Sequence, residues 1–192
     1  MRAILIFLLW VSAIAPRAWA DTPGEVRVGG QLREARMFSV SGPPRMLSEF
    51  RGKPLIINVW ASWCGPCRQE MSSLQRLSRI DTKKQFRLIG ISTDDDAIAA
   101  TEYVVKSKLS FENFVDDNLL LENMLGANTI PLTVLVDANG RVLAKIRGSR
   151  DWTSPAAIAL VEKTLRIQLG RSNGYSQASP GKPSLRGPDG MK

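Results

Sequence analysis

The chain contains no histidine. That absence removes several chemistries at once. A Ser-His-Asp or Cys-His nucleophile needs an imidazole as its base, and histidine-ligated metal or haem sites need one as a ligand. Any nucleophile here has to be activated by backbone and by charge. Cysteine is nearly absent too, with 2 in 192 residues. A closed structural zinc site takes four ligands, so one chain cannot build such a site from this pair. Beyond residue 15 no apolar stretch approaches the ~20 residues that a spanning helix needs. No internal repeat is visible. The length suits one domain with extensions, enough for a core that needs no disulfide staples. The net charge is +8, but it is unevenly placed. Arg2 and Arg17 lie in the first 20 residues, and Arg171, Lys182, Arg186 and Lys192 lie in the last stretch against Asp189. The middle is only mildly basic and does not point to nucleic acid.

The first 20 residues have the organisation of an export signal. Arg2 is a minimal basic region, Ala3 to Ala15 is almost wholly apolar, and Pro16 ends the run. Ala18-Trp19-Ala20 fits the small-x-small cleavage rule, predicting a mature start at Asp21. The alternative is an uncleaved anchor through residues 3–15, for which the run is short. Export places the chain outside the cytoplasm, a periplasmic or equivalent compartment where disulfide traffic occurs.

The two cysteines form Trp63-Cys64-Gly65-Pro66-Cys67, after the apolar run Leu55 to Trp60 and before a helical pattern from Arg68 to Ile80. Cys-x-x-Cys at a strand-to-helix junction is a redox signature. The unpaired N–H groups and dipole of a helix start stabilise a thiolate on the first cysteine. The second sits about one turn on, within reach of a mixed disulfide. Pro66 can open the helix because it has no N–H to lose there. A disulfide closing so short a loop would add little as a purely structural link.

The stretch Val59-Trp60-Ala61-Ser62-Trp63-Cys64-Gly65-Pro66-Cys67-Arg68, with Asn58 before it and Glu70 after it, resembles the active-site segment of the thioredoxin superfamily. It is most similar to the TlpA/ResA-like branch of exported thiol-disulfide oxidoreductases. The resemblance implies an α/β thioredoxin-like fold: a central mixed β-sheet flanked by helices, with an inserted strand and helix in mid-chain. The implied organisation is a signal peptide at 1–20, a leading segment at 21–36, the domain at 37–169 and a disordered basic tail at 170–192.

Taken in order, residues 21–35 are polar and carry at most one short strand. Met37 to Val40 reads as a strand and Ser41-Gly42-Pro43-Pro44 as a turn. Leu47 and Phe50 read as core. Leu55 to Trp60 lacks alternation, which suits a strand buried on both faces. Asn58 interrupts it where thioredoxins carry a buried acid, and reads as a hydrogen-bonded amide. Cys67, Met71, Leu74 and Leu77 repeat at the helical period. Glu70 shares their face. From the residues alone it is either a solvated first-turn acid or a partly buried proton carrier for Cys67. The resemblance favours the second, matching it to the branch's active-site glutamate. The branch usually has a proline two positions later to kink the helix; this chain has Ser72.

Phe86 to Ser92 forms the next strand. Thr93-Asp94-Asp95-Asp96 reads as a cap and solvated loop rather than a metal site, since no clustered ligands accompany it. A helix over Ala97–Lys108 should bury Ile98, Val104 and Val105. A short strand around Phe111 to Val115 and a helix from Asn118 to Leu125, ended by Gly126, form the insert. Leu132 to Val136 and Val142 to Ile146 are joined by a hairpin at Asp137-Ala138-Asn139-Gly140. By resemblance, Pro131 is cis beside the cysteines and offers the Ile130 backbone to a client chain as a strand-like dock. Trp63, Gly65 and Pro66 complete that client-binding surface. Trp152 reads as packing, and Ser154-Pro155 opens a last helix with Ile158, Val161 and Leu165 on one side.

These features imply a thiol-disulfide oxidoreductase that needs no cofactor or metal. Cys64 attacks, Cys67 resolves and Glu70 handles a proton. Its partners would be disulfide-bearing exported proteins, such as apocytochrome c haem sites or copper-site cysteines in oxidase assembly, and a membrane electron donor. The alternatives are an oxidase or isomerase on the same fold, or a Cu(I) metallochaperone using the thiol pair, for which Met71 and Met124 are the available extra soft ligands.

Overall fold

The computed structural model describes residues 22–170. The expected signal peptide and basic tail lie outside them. Seven strands form one sheet: β1 (Arg36–Ser39), β2 (Arg45–Met46), β3 (Leu55–Trp60), β4 (Arg87–Ser92), β5 (Glu112–Val115), β6 (Leu132–Val136) and β7 (Val142–Arg147). Four helices accompany them: α1 (Gly65–Ile80), α2 (Ala97–Lys106), α3 (Leu120–Leu125) and α4 (Pro155–Leu165). A 3-10 turn spans Leu47–Phe50. The strand order is β2-β1-β5-β4-β3-β6-β7. Strands β3, β4 and β5 run parallel, while β6 is antiparallel to β3 and β7 to β6. The mixed sheet and the inserted β5–α3 pair have the expected architecture. The two-residue strand β2 was not anticipated.

β3 is central, and all six of its residues are buried. Its alternation assigns partners to each face. Ile56 and Trp60 belong to a core shared with α1, α2 and α4, while Leu55, Ile57 and Val59 belong to one shared with α3, the 3-10 turn and the leading segment. The leading segment forms one isolated bridge, Gln31 to Arg141, and no strand. It nonetheless places Val26, Leu32 and Ala35 in the second core, and Glu25 forms an ion pair with Lys145 of β7.

Helix α1 starts at Gly65, opened by Pro66 in its first turn as the sequence suggests, with Cys64 as its cap. Met71, Leu74 and Leu77 are fully buried. Each contributes roughly 1.5–3 kcal/mol by leaving water.

Helix α2 corrects the sequence expectation. Val104 is buried, but Ile98 is 66% and Val105 68% exposed. Ala100 takes the inward position instead. Ile98 and Val105 are seven residues apart and so share one face of the helix; Ala100 and Val104 share the other. The small Ala100 lets the helix approach the sheet, and that contact selects the buried face. The helix also ends at Lys106, two residues early, before Lys108 takes a positive φ of 51°.

Candidate active site

The parallel strands β3, β4 and β5 all end at one edge of the sheet, at Trp60, Ser92 and Val115. β7, two antiparallel steps from β3, ends there too. Ligand sites in α/β sheets form at the carboxyl ends of such strands. The loops leaving β3, β4 and β7 bring together most of the residues described below.

From β3 the chain makes a tight turn, with the Cys64 N–H donating to the Ala61 carbonyl at 3.1 Å. Cys64 is the N-cap of α1, and its Sγ accepts the Cys67 N–H at 3.2 Å. The first sulfur therefore lies on an unpaired helix-start donor, the arrangement that stabilises a thiolate. Cys64 and Cys67 form a disulfide with S–S 2.01 Å. Cys64 is 6% exposed and Cys67 fully buried. Trp63 stands out at 69% exposed, and Gly65 and Pro66 are exposed beside it.

Glu70 is buried, not solvated. Its pocket is prepared by two polar residues at inward positions of the sheet. Asn58 on β3 and Thr133 on β6 are directly paired across the strands. The Asn58 amide donates from Nδ2 to Thr133 Oγ1 at 3.0 Å and to Glu70 Oε1 at 2.7 Å. On the other side, the loop after β7 supplies the Trp152 indole N–H to Glu70 Oε2 at 3.1 Å and the Arg150 backbone N–H at 3.3 Å. Ser73, three positions after Glu70 on α1, ties this loop to the helix by donating to the Glu70 and Arg150 carbonyls and accepting the Trp152 N–H. Burial pushes the Glu70 carboxyl above its ordinary range, and the donors from Asn58, Trp152 and Arg150, with the Arg150 charge, partly oppose it. The Arg150 guanidinium lies over the Trp152 ring, 5.3 Å from its centroid. Asn58 is thus the hydrogen-bonded buried amide expected, although its Oδ1 has no partner among the described residues.

The Ile130–Pro131 peptide bond is cis. Pro131 is buried and Ile130 half-buried. The register pairing Val59 with Leu132 sets Pro131 opposite Trp60, at the start of the turn leading to Cys64. Ile130 packs against the core cluster that contains both cysteines.

The acidic stretch after β4 departs from its expected reading. Asp96 does cap α2, accepting the Ile98 N–H at 2.8 Å. Asp94, however, is 3% exposed and no part of a solvated loop. Its oxygens accept the Ser62 N–H at 2.9 and 3.1 Å, the Ser62 hydroxyl at 2.7 Å and the Ser92 hydroxyl at 2.6 Å. Among the described residues, no three His, Cys, Asp or Glu side chains cluster to hold a metal ion. Met71 shares the cysteines' core but Met124 lies in the other one, so the two thioethers do not converge on the thiol pair.

Residues 28–161 match the Redoxin family. Over 175 residues the chain is 30% identical to the thiol:disulfide interchange protein DsbE of Vibrio cholerae, covering 84% of this chain and 92% of that protein. The chain belongs to the Redoxin family and is a thiol-disulfide oxidoreductase. It is also 26% identical over 152 residues to the thiol-disulfide oxidoreductase ResA of Geobacillus thermodenitrificans, covering 78% of this chain and 87% of that one. A solved thiol-disulfide oxidoreductase from Bacteroides fragilis superposes with TM-score 0.60 at 26% identity, over 70% of this chain and 99% of that one. The fold is thioredoxin-like.

For this Redoxin-family enzyme, sequence reasoning missed two members of the cluster. Trp152 reads as packing, and it is fully buried, but its indole nitrogen also binds Glu70. Asp94 reads as surface. The available signals were weak: a tryptophan in a polar loop, and a serine just before Trp63-Cys64 with no obvious task.

Proposed function

We propose that this chain is an exported reductant that transfers electrons from a membrane-bound dithiol to disulfides of extracytoplasmic client proteins. The observation that carries the exchange chemistry, with Cys64 as the attacking sulfur, is the Cys64 sulfur on the Cys67 N–H at the start of α1. In the reduced enzyme the Cys64 thiolate attacks a client disulfide. One client sulfur bonds to Cys64 and the other leaves as a thiolate. Cys67 then gives up its proton and attacks the Cys64 sulfur, which re-forms the Cys64–Cys67 disulfide and frees the second client thiol. Two electrons pass to the client; the Cys67 proton and one from solvent complete the two client thiols. Glu70 serves as the base for Cys67. It is buried on the same helix face, and its carboxyl has a raised proton affinity, which suits a group that takes up and releases a proton during exchange. The exposed Trp63 and the Ile130–Pro131 segment flank the sulfurs as the client-binding surface.

The reducing direction is supported by Gly65-Pro66, the dipeptide of thioredoxin, whose potential is about −270 mV against about −120 mV for the oxidant DsbA. Export is supported by Ala18-Trp19-Ala20. The proposed clients are exported proteins whose cysteines must be kept reduced, as in cytochrome c maturation or oxidase assembly; the likeness to ResA and DsbE supports disulfide exchange as the chemistry performed on them. Equilibration of the domain with glutathione of known ratio tests the direction. A potential near that of DsbA would make it an oxidase. Mass spectrometry of the protein from its native envelope tests export, and a retained Met1 would indicate an anchor.

A further inference from the structure

Two buried acids are held on the turn and helix that carry the pair, and only one of them has a role so far. Glu70 follows Cys67 on α1. Asp94 reaches the turn before Cys64, from the loop after β4. The parallel register brings Ser92 beside Trp60, and the Thr93 N–H donates to the Trp60 carbonyl at 2.9 Å. That pins Asp94 under the turn Ala61–Cys64. Three of the four hydrogen bonds its oxygens accept come from Ser62, the second residue of the turn. The Ser92 hydroxyl holds the carboxylate from behind, and accepts the Asp94 N–H in turn at 3.1 Å.

We propose that Asp94 is a positioning residue for Cys64: it fixes the turn that presents the nucleophile, and its charge opposes the Cys64 thiolate and so keeps the pair reducing. This rests on the reading of Cys64 as the attacking sulfur. Two features favour that thiolate, the start of α1 and the Cys67 N–H, and Arg68 adds an exposed positive charge in the same turn. Unopposed, they would stabilise the reduced form, which is what makes a dithiol pair a strong oxidant. Asp95 and Asp96 are exposed and act through water, and Asp96 is engaged with Ile98. Asp94 is the acid of this loop held out of water. One residue of tight turn, Trp63, separates its main partner from Cys64, so the carboxylate lies on the order of 8 Å from the sulfur. At that range in a partly buried setting, a unit charge changes an ionisation constant about tenfold.

The test measures Cys64 acidity in the reduced protein, from thiolate ultraviolet absorbance against pH, and the dithiol–disulfide balance against glutathione. Asp94→Asn keeps the shape, and its amide can reverse the Ser92 bond. It should raise the Cys64 acid constant about tenfold and move the balance toward the dithiol by up to a similar factor. Ser62→Ala removes one hydroxyl donor but leaves the charge, and should change the acidity less than about twofold. No shift in Asp94→Asn, or an equal shift in Ser62→Ala, overturns the proposal, since loop order alone would then be the agent. Should Asp94→Asn not fold, the unaltered protein still decides: the Asp94 carboxyl carbon resonance should move as Cys64 ionises, and a flat resonance overturns the proposal. Client capture through Cys64 in a Cys67→Ser variant tests the nucleophile assignment separately, so the two readings can fail independently.

Discussion

Replacing Trp152 with phenylalanine separates packing from chemistry in the Glu70 pocket. The substitution keeps an aromatic ring in a fully buried position and removes the indole N–H that reaches Glu70 Oε2 at 3.1 Å. Two losses follow. The smaller ring leaves a void, costing roughly 1–3 kcal/mol whatever the charge on Glu70. The lost hydrogen bond costs about 1.5–3 kcal/mol when Glu70 is ionised, and about 0.5–1.5 kcal/mol when it is protonated. The difference between the variants should therefore be about 1–1.5 kcal/mol larger above the raised Glu70 pKa than below it. Urea unfolding of the disulfide forms from about pH 4 to about pH 9 measures this. The disulfide form keeps the cysteines from titrating, and no histidine exists to add a transition of its own. Asp116 and Glu122, also raised by burial, are common to both proteins and cancel. A destabilisation independent of pH would refute the reasoning and return Trp152 to the role of filler. The same substitution made in a Glu70→Gln background should lose its pH dependence.

Glu70→Gln should slow turnover at neutral pH by about tenfold or more while leaving the fold intact; unchanged rates and thiol acidities would make Glu70 a bystander. In unfolding experiments the unaltered protein should lose stability as pH rises from the unfolded Glu70 value toward its raised folded one, because burial opposes ionisation in the folded state, and then level off. That slope should vanish in Glu70→Gln. Cys67→Ser should stall on clients as stable mixed disulfides, visible on non-reducing gels after alkylation, while Cys64→Ser traps almost nothing; the opposite pattern reverses the roles, and loss of Cu(I) binding without any trapping would favour a metallochaperone. Gly90→Ala should cost about 2–4 kcal/mol. A Cβ there would sit 2.0 Å from Asn113 Oδ1 and 2.8 Å from Trp60 Nε1, and would break the 3.1 Å bond between them. A melting temperature unchanged by this substitution would contradict that contact.

What could be read along the chain was what local order dictates. The Cys-x-x-Cys pair, the uninterrupted run of β3, the Asp137–Gly140 hairpin and the proline-opened α4 each carry their signal within a few residues, because strand burial, turn chemistry and helix capping are short-range constraints. The redox chemistry followed from those residues and from the missing histidine. Tertiary structure decided the rest. Periodicity gave α2 an apolar stripe through Ile98 and Val105, but only the sheet beneath could choose the side of Ala100 and Val104. The Glu70 pocket draws on β3, β6, α1 and the loop after β7, with partners from Asn58 to Trp152. Asp94 meets Ser62 across 32 positions. Acids look alike on paper whether they face water or lie against a sulfur-bearing turn. The difference is desolvation, and desolvation is set by which distant segments close over the group.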